Sequence, residues 1–326
     1  MMVHKNPAYF LISVSNKENL ELCKRYALAG FTNSINGLWT FSELNIGDYI
    51  SFLYAARAHN LYKVIGKEAI QNAETIGPWQ SITFRMSGKT YYFPFRIQLE
   101  PIRAFEEPLV RNEFAYVAEN LLLRGGYRKT HFQADQTTLQ NVSQMGGLFK
   151  KKCEQFNEKV SMYSPGFTTK RNSVKNPITF LFQEIILQSL IRQHLSLLEN
   201  MNKFLGLVGI NDLKAENIEI LGEKALPEGH IDLLIKESVP IGISKQLVVE
   251  VKLHTATLKD FEQINNYLEL LGDECICGVL IANKFSKKIT GKFPRIIPIV
   301  YSLSNFENIT KSFNELLDGL CLKRMI

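Results

Sequence analysis

Apolar residues along the N-terminal third of the chain come in short runs broken by turn signals. Tyr9-Phe-Leu-Ile-Ser-Val14 reads as a strand, and Asn19–Ala29 as a helix with Leu20, Cys23, Tyr26 and Ala27 along one side. Asn36–Phe41, Gly47–Tyr54, Leu61–Gly66, Trp79–Phe84 and Tyr91–Leu99 then read as short strands, punctuated by signals such as Asn36-Gly37 and Gly47-Asp48. Such a density of strands predicts a small β-barrel with one or two helices over residues 1–105. Residues 106–176 keep no single period. Glu113–Leu123 is helical up to Gly125-Gly126, Gln133–Gln144 is polar, and Lys150–Val160 reads as another helix, so a helical, basic linker is expected there.

From Pro177 the pattern changes. Pro177–Ile191 is strongly apolar and helix-like, with Glu184 in its midst. Glu228-Gly-His-Ile-Asp-Leu-Leu-Ile235 sets Asp232 in an apolar run, and Gln246-Leu-Val-Val-Glu-Val-Lys252 has the β-branched content of a buried strand. Leu258–Leu271 carries apolar residues at 258, 261, 264, 267, 268 and 271, one face of a helix, and Ile276–Ala282 reads as a further buried strand. This order predicts a mixed sheet flanked by helices over residues 177–326, and an α/β chain that is α+β as a whole.

The second of these strands carries the chemistry. Side chains alternate along a strand, so Glu250 and Lys252 share a face while Val249 and Val251 take the other. On a solvated edge such a pair would be a weak surface ion pair. On a buried strand, an acid and a lysine are costly unless another charge meets them. A divalent cation with a phosphate supplies that charge: Asp232 and Glu250 would hold Mg²⁺ through oxygen, with Lys252 beside an attacking water. On the following helix Gln263 and Tyr267 stand four apart and stack on one side.

Acid on one strand, Glu-x-Lys on the next and Gln-x-x-x-Tyr on the crossover helix together resemble the PD-(D/E)xK nuclease superfamily, in its RecB-like branch, over about residues 178–300. The layout also looks like the C-terminal half of archaeal mismatch-cleaving endonucleases of the NucS type. Ile231 stands where the superfamily's name has Pro, a change that RecB-like members tolerate. The resemblance implies Asp232 and Glu250 as metal ligands, Lys252 as the catalytic lysine, and Gln263 with Tyr267 as supports. It also implies a further acid on the helix before the first strand, for which Glu184 is the choice and Glu199 the alternative. Glu223 and Glu228 lie in the approach to that strand. His230 and His254 are expected at the rim, since the acids and lysine suit an oxygen-loving ion without them.

Gly37-Leu-Trp-Thr40 with Leu44-Asn45, Gly47-Asp48 before an aromatic strand, and Phe93-Pro-Phe-Arg-Ile97 resemble the PUA-like superfamily, specifically EVE and YTH modules, over about residues 7–105. That resemblance implies an aromatic cage for a modified or flipped base, with Trp39 at the first cage position. Tyr54, Trp79, Tyr91 and Phe93 are wall candidates by composition, Trp79 being read as core.

A net charge of +6 and pI near 8.9 suit an anionic partner. Lys150-Lys-Lys152, Lys170–Lys175 and Arg124–Lys129 with Tyr127 form local basic clusters that could track phosphates. Five cysteines with no Cys-x-x-Cys pair argue against structural zinc and a disulfide framework. Neither a signal peptide nor a bilayer span is expected, and a cytoplasmic location is. Together the resemblances imply an endonuclease dependent on Mg²⁺ (or Mn²⁺) and acting on double-stranded DNA as a modification-dependent restriction enzyme. Mismatch or structure-specific repair, a nonenzymatic nucleic-acid binder, and an RNA target stay open. Double-strand cutting needs two sites and so favours a homodimer.

Overall fold

A computed structural model describes residues 7–325 apart from 84, 87, 109–129, 157, 212, 227–228, 287–292 and 308. The Glu113–Leu123 helix, the Arg124–Lys129 cluster with Tyr127, and Glu228 lie outside the described residues. The chain is α+β and divides into two compact units. One comprises Pro7–Ala134 and Thr138–Leu181; the other is built on Phe182–Ile326 and includes Asp135–Thr137.

The first unit holds β1 (Tyr9–Ser13), α1 (Lys17–Tyr26), β2 (Leu28–Phe31), α2 (Ile35–Glu43), β3 (Tyr49–Tyr54), β4 (Arg57–Ile70), β5 (Phe95–Ala104) and β6 (His131–Ala134). Helix α3 (Gln136–Val142) follows β6. The main sheet runs β2-β5-β4-β3-β1-β6, with β1 parallel to β3 and antiparallel to β6. Among the described residues its path does not return on itself, so in place of the expected barrel they form an open mixed sheet. Helices supply the missing cover: α1 packs on β2 and β3, and α2 on β2 and β5, so apolar surface is buried without closure.

Two local expectations change with it. Asn36–Phe41 is helix, not strand: Ser34 caps α2 by accepting from the Gly37 N–H at 3.1 Å. Asn36-Gly37 resembles a hairpin turn, yet this glycine serves the first helical turn, where a Cβ would stand 2.8 Å from Thr32 N. The linker reading also changes. Its residues 131–134 form the β6 edge strand, with Phe132 and Ala134 in a core cluster shared with Tyr9, Leu11 and Leu53. Gly166–Thr168 pairs in parallel with Thr179–Leu181, and Lys150–Val160 shows no helix among its described residues.

The second unit begins with α4 (Glu184–Leu195) and α5 (Leu198–Val208), then β7 (Ile218–Leu226), β8 (Gly229–Glu237), β9 (Gln246–Ala256), α6 (Leu258–Leu271) and β10 (Cys275–Phe285). It ends with β11 (Ile296–Leu303), α7 (Phe313–Asp318) and β12 (Leu320–Arg324). Sheet order follows chain order from β7 to β12. Pairing is antiparallel through β9, parallel across β9-β10-β11, and antiparallel again at β12. Two adjacent parallel strands require a crossover, and α6 is that crossover.

Val248, Val249 and Val251 on β9 are fully buried, as a central strand covered on both faces requires. Thr257 and Asp260 form a capping box that starts α6, and Phe261, Ile264, Tyr267 and Leu268 are its buried stripe. Gly278 on β10 lies beneath it: a Cβ there would collide with Ile264, so only glycine admits the helix at this distance. Among the described residues no helix is long and apolar enough to cross a membrane.

Candidate active site

Strands β8 and β9 are paired from Lys236↔Gln246 to Leu233↔Val249, and the ladder stops there. The next positions in that register are Asp232 and Glu250. They therefore face each other where the strands part. Beyond the parting the Val251 N–H has left the ladder, and it donates to Asp232 Oδ2 at 2.8 Å. The Asp232 carboxylate thus takes a backbone donor that the neighbouring strand no longer serves.

Glu250 is only 2% exposed. Its Oε1 accepts from Lys252 Nζ at 2.8 Å and from Gln263 Nε2 at 3.2 Å. Gln263 also donates to the Tyr267 hydroxyl at 2.7 Å, and that hydroxyl donates to the His230 carbonyl at 3.1 Å. One helical turn thus makes Gln263 and Tyr267 a relay from the β8 backbone to the Glu250 carboxylate. Gly229 makes room for it, since a Cβ there would stand 2.6 Å from the Tyr267 hydroxyl.

Glu184, at the first turn of α4, joins this group: Oε2 accepts from the Leu253 N–H at 2.8 Å and Oε1 is 3.8 Å from Lys252 Nζ. The alternative, Glu199, is instead on an exposed ion pair with Lys203 at 2.6 Å. The His230 and His254 side chains are exposed. Asp260 was not anticipated. While Oδ2 caps α6 at Thr257, Oδ1 lies 3.9 Å from Lys252 Nζ. Its only sequence signal was Thr257-x-x-Asp260, which marks a helix start and not a site.

Electrostatics follow from this crowding. Burial, and then the Glu250 charge, hold Asp232 well above the usual carboxylate range, against the pull of the Val251 N–H and Lys252. Burial likewise raises Glu250, with Lys252 opposing. For Lys252, burial works against the charged form, but Glu250 and the other acids outweigh it and raise the ammonium. The lysine is held as a cation.

Glu250 Oε2 is buried with no hydrogen-bond partner among the described residues. A carboxylate oxygen left so is costly, and calls for a cation. Asp232 and Glu250 offer the hard oxygen atoms that Mg²⁺ or Mn²⁺ prefers, so the residues fit such an ion. Among the described residues no three His, Cys, Asp or Glu side chains are grouped as a complete metal cage. Mg²⁺ does not need one, since it keeps several waters and takes one or two carboxylates.

The first unit contains a cavity of about 510 Å³ lined by Trp79, Phe93, Tyr91 and Phe31, with Asn19 and Thr130 among its polar residues. Among the described residues no Asp, Glu, Lys, Arg or His lines it. Trp39 is not among its walls: it is 7% exposed, with its ring edge-on to His131 at 4.5 Å. The cavity tryptophan is Trp79, expected in the core, whose ring lies 5.5 Å from that of Phe93. Trp79 rests on Gly30, where a Cβ would come within 2.7 Å of the indole. Tyr54, another wall candidate, does not line the cavity, while Tyr91 and Phe93 do. The Lys150–Lys152 and Lys170–Lys175 clusters are exposed on this unit.

No protein-family model matches the chain, and no curated protein matches it in sequence. Among solved structures, one described as an EndoMS–dsDNA2 complex is similar at 14% identity, with 87% of this chain and 91% of that chain covered and a TM-score of 0.20. A likeness at that level bears on neither fold nor activity.

Proposed function

We propose that the second unit is a DNA endonuclease dependent on Mg²⁺ or Mn²⁺, and that the first unit reads a base. The observation that carries this is Glu250: a buried acid opposite Asp232, bonded to Lys252 through one oxygen and, among the described residues, unpartnered at the other. Asp232 and Glu250 would hold the ion, with Glu184 as the further acid. When bound, the ion would polarise the scissile phosphate and lower the pKa of a coordinated water. Lys252 would stabilise charge that develops on the phosphate oxygens. Gln263 and Tyr267 hold Glu250 in place, and a fixed carboxylate needs no reorganisation during reaction.

The cavity of the first unit supports base reading. Among the described residues its lining joins aromatic rings to uncharged polar groups, which suits a neutral heteroaromatic ring better than a phosphate. Extruding a base costs a few kcal/mol, and stacking on aromatic faces recovers about 1–3 kcal/mol per contact. We assign the stacking to Trp79 in place of Trp39. The exposed basic clusters would meet phosphate. Modification-dependent restriction by a homodimer is the specific reading, with mismatch or structure-specific repair as its enzymatic competitor.

The test is cleavage, with Mg²⁺ and with EDTA, of matched duplexes that are unmodified or carry N6-methyladenine, 5-methylcytosine or hydroxymethylcytosine. Lys252→Ala is the control for contaminating nuclease, and is expected to lose cleavage while retaining DNA binding. Cutting of one modified duplex alone names the base. Equal cutting of all four keeps the nuclease and removes modification dependence. No metal-dependent cutting of DNA or RNA would leave a binding protein.

A further inference from the structure

Strand β9 carries one extra residue directly after Lys252. Its register on β10 runs Val251↔Ile281 and Lys252↔Ala282, then resumes at Thr255↔Lys284. Such a bulge bends a strand, re-aims the neighbouring side chains and takes peptide groups off the ladder. Side chains meet both peptide groups of Leu253. Its N–H donates to Glu184 Oε2 at 2.8 Å, and its carbonyl accepts from the Tyr301 hydroxyl at 2.6 Å.

Tyr301 belongs to β11, two strands away from Leu253, so its side chain reaches across a spacing of about 9–10 Å. It is 4% exposed. Lys252, Ala282 and Val300 are in register and share one face of the sheet. Tyr301, next to Val300, falls on the opposite face by alternation. The hydroxyl therefore approaches the bulge from the face opposite the lysine's, where burial and then the charge of Glu184, which takes the N–H of the same residue, raise the phenol.

We propose that Tyr301 is a positioning residue whose hydroxyl pins the bulge that aims Lys252 at Glu250. The inference rests on the nuclease reading for its catalytic consequence. It adds a residue that no motif marks: Tyr301 lies outside the Asp232, Glu-x-Lys and Gln-x-x-x-Tyr pattern.

Tyr301→Phe in the full chain tests it, since phenylalanine keeps the packed ring and removes only the donor. Three quantities are read: kcat and KM on the duplex that the wild type cuts, hydrogen exchange of backbone amides over residues 250–256, and the melting temperature. The expected result is kcat lower by about tenfold or more, because small misplacements of reacting groups are expensive. KM should stay within about twofold, the melting temperature should move little, and exchange across the bulge should quicken. Wild-type kcat with wild-type exchange overturns the proposal. So does a loss confined to KM, or a fall in kcat matched by the loss of folded protein at the assay temperature. A wild type that cuts nothing beyond what Lys252→Ala cuts refutes the nuclease reading instead; the exchange measurement then still decides whether the hydroxyl pins the bulge.

Discussion

Asp232→Asn separates stability from chemistry at the site. Asp232 and Glu250 face each other at the end of the ladder; burial raises both acids, helped at Asp232 by the Glu250 charge and at Glu250 by Glu184 and Asp260. A carboxylate whose folded pKa lies above its unfolded one binds protons more readily when folded. Its charge therefore costs stability as pH rises from the unfolded value through the folded one. Asparagine keeps an oxygen to accept the Val251 N–H and removes the charge. Replacing a strained ionic group by a neutral one is worth about 1–3 kcal/mol. In a unit of this size that is a rise of about 2–10 °C in melting temperature. The assay is thermal unfolding in EDTA at pH 8 and pH 5, repeated at pH 8 with Mg²⁺ or Mn²⁺. The variant should melt higher than wild type at pH 8, the gap should narrow at pH 5, and metal should stabilise the wild type more than the variant. Cleavage should be lost throughout. A variant less stable than wild type at pH 8 in EDTA, or a gap independent of pH, would refute the reasoning.

The remaining predictions concern the cavity and the helix behind the site. Trp79→Ala should abolish any preference for one duplex over another while leaving metal-dependent cutting of DNA at high concentration. Trp39→Ala should lower the stability of the first unit by about 3–5 kcal/mol, as loss of a buried aromatic does, with base preference retained in the folded protein. Competition binding and urea unfolding distinguish them; loss of preference in Trp39→Ala alone would return the reading role to Trp39. Gly278→Val should drive Ile264 away from β10 and displace α6, costing about 1–3 kcal/mol and reducing cleavage with it, because Gln263 rides on that helix. Unchanged unfolding and cleavage would show that the helix has room to yield.

The first unit was the harder to read, for reasons that individual residues make plain. Asn36-Gly37 carries the signature of a hairpin turn, and the apolar residues after it fit a strand as well as a helix over so short a span. The capping bond to Ser34, and the Thr32 backbone against which Gly37 must fit, are local contacts that periodicity does not carry. The edge strand His131–Ala134 pairs with β1 across more than a hundred residues, so nothing local announces it. Trp39 and Trp79 are equally buried, and which of them borders a cavity depends on where the chain returns.

The second unit was more legible because one physical demand selects several residues at once. Where β8 and β9 part, the Val251 N–H needs a new acceptor, and Asp232 provides it. The same parting makes a space in which Glu250 can turn one oxygen to Lys252 and Gln263 and leave the other without a partner among the described residues. An apolar residue at 232 would strand the amide, and an apolar residue at 250 would remove the acceptor for both Lys252 and Gln263. Asp232 is therefore required by the backbone, and Glu250 by the side chains around it, as well as by the proposed reaction, and that is why they surface as polar positions inside apolar runs. Asp260, Glu184 and Tyr301 answer more local needs, a helix cap and a bulged peptide. In sequence Asp260 and Tyr301 are indistinguishable from ordinary structure, whereas Glu184 is the acid expected on the helix before the first strand; the meeting of their oxygens around Lys252 and Leu253 ties all three to the site.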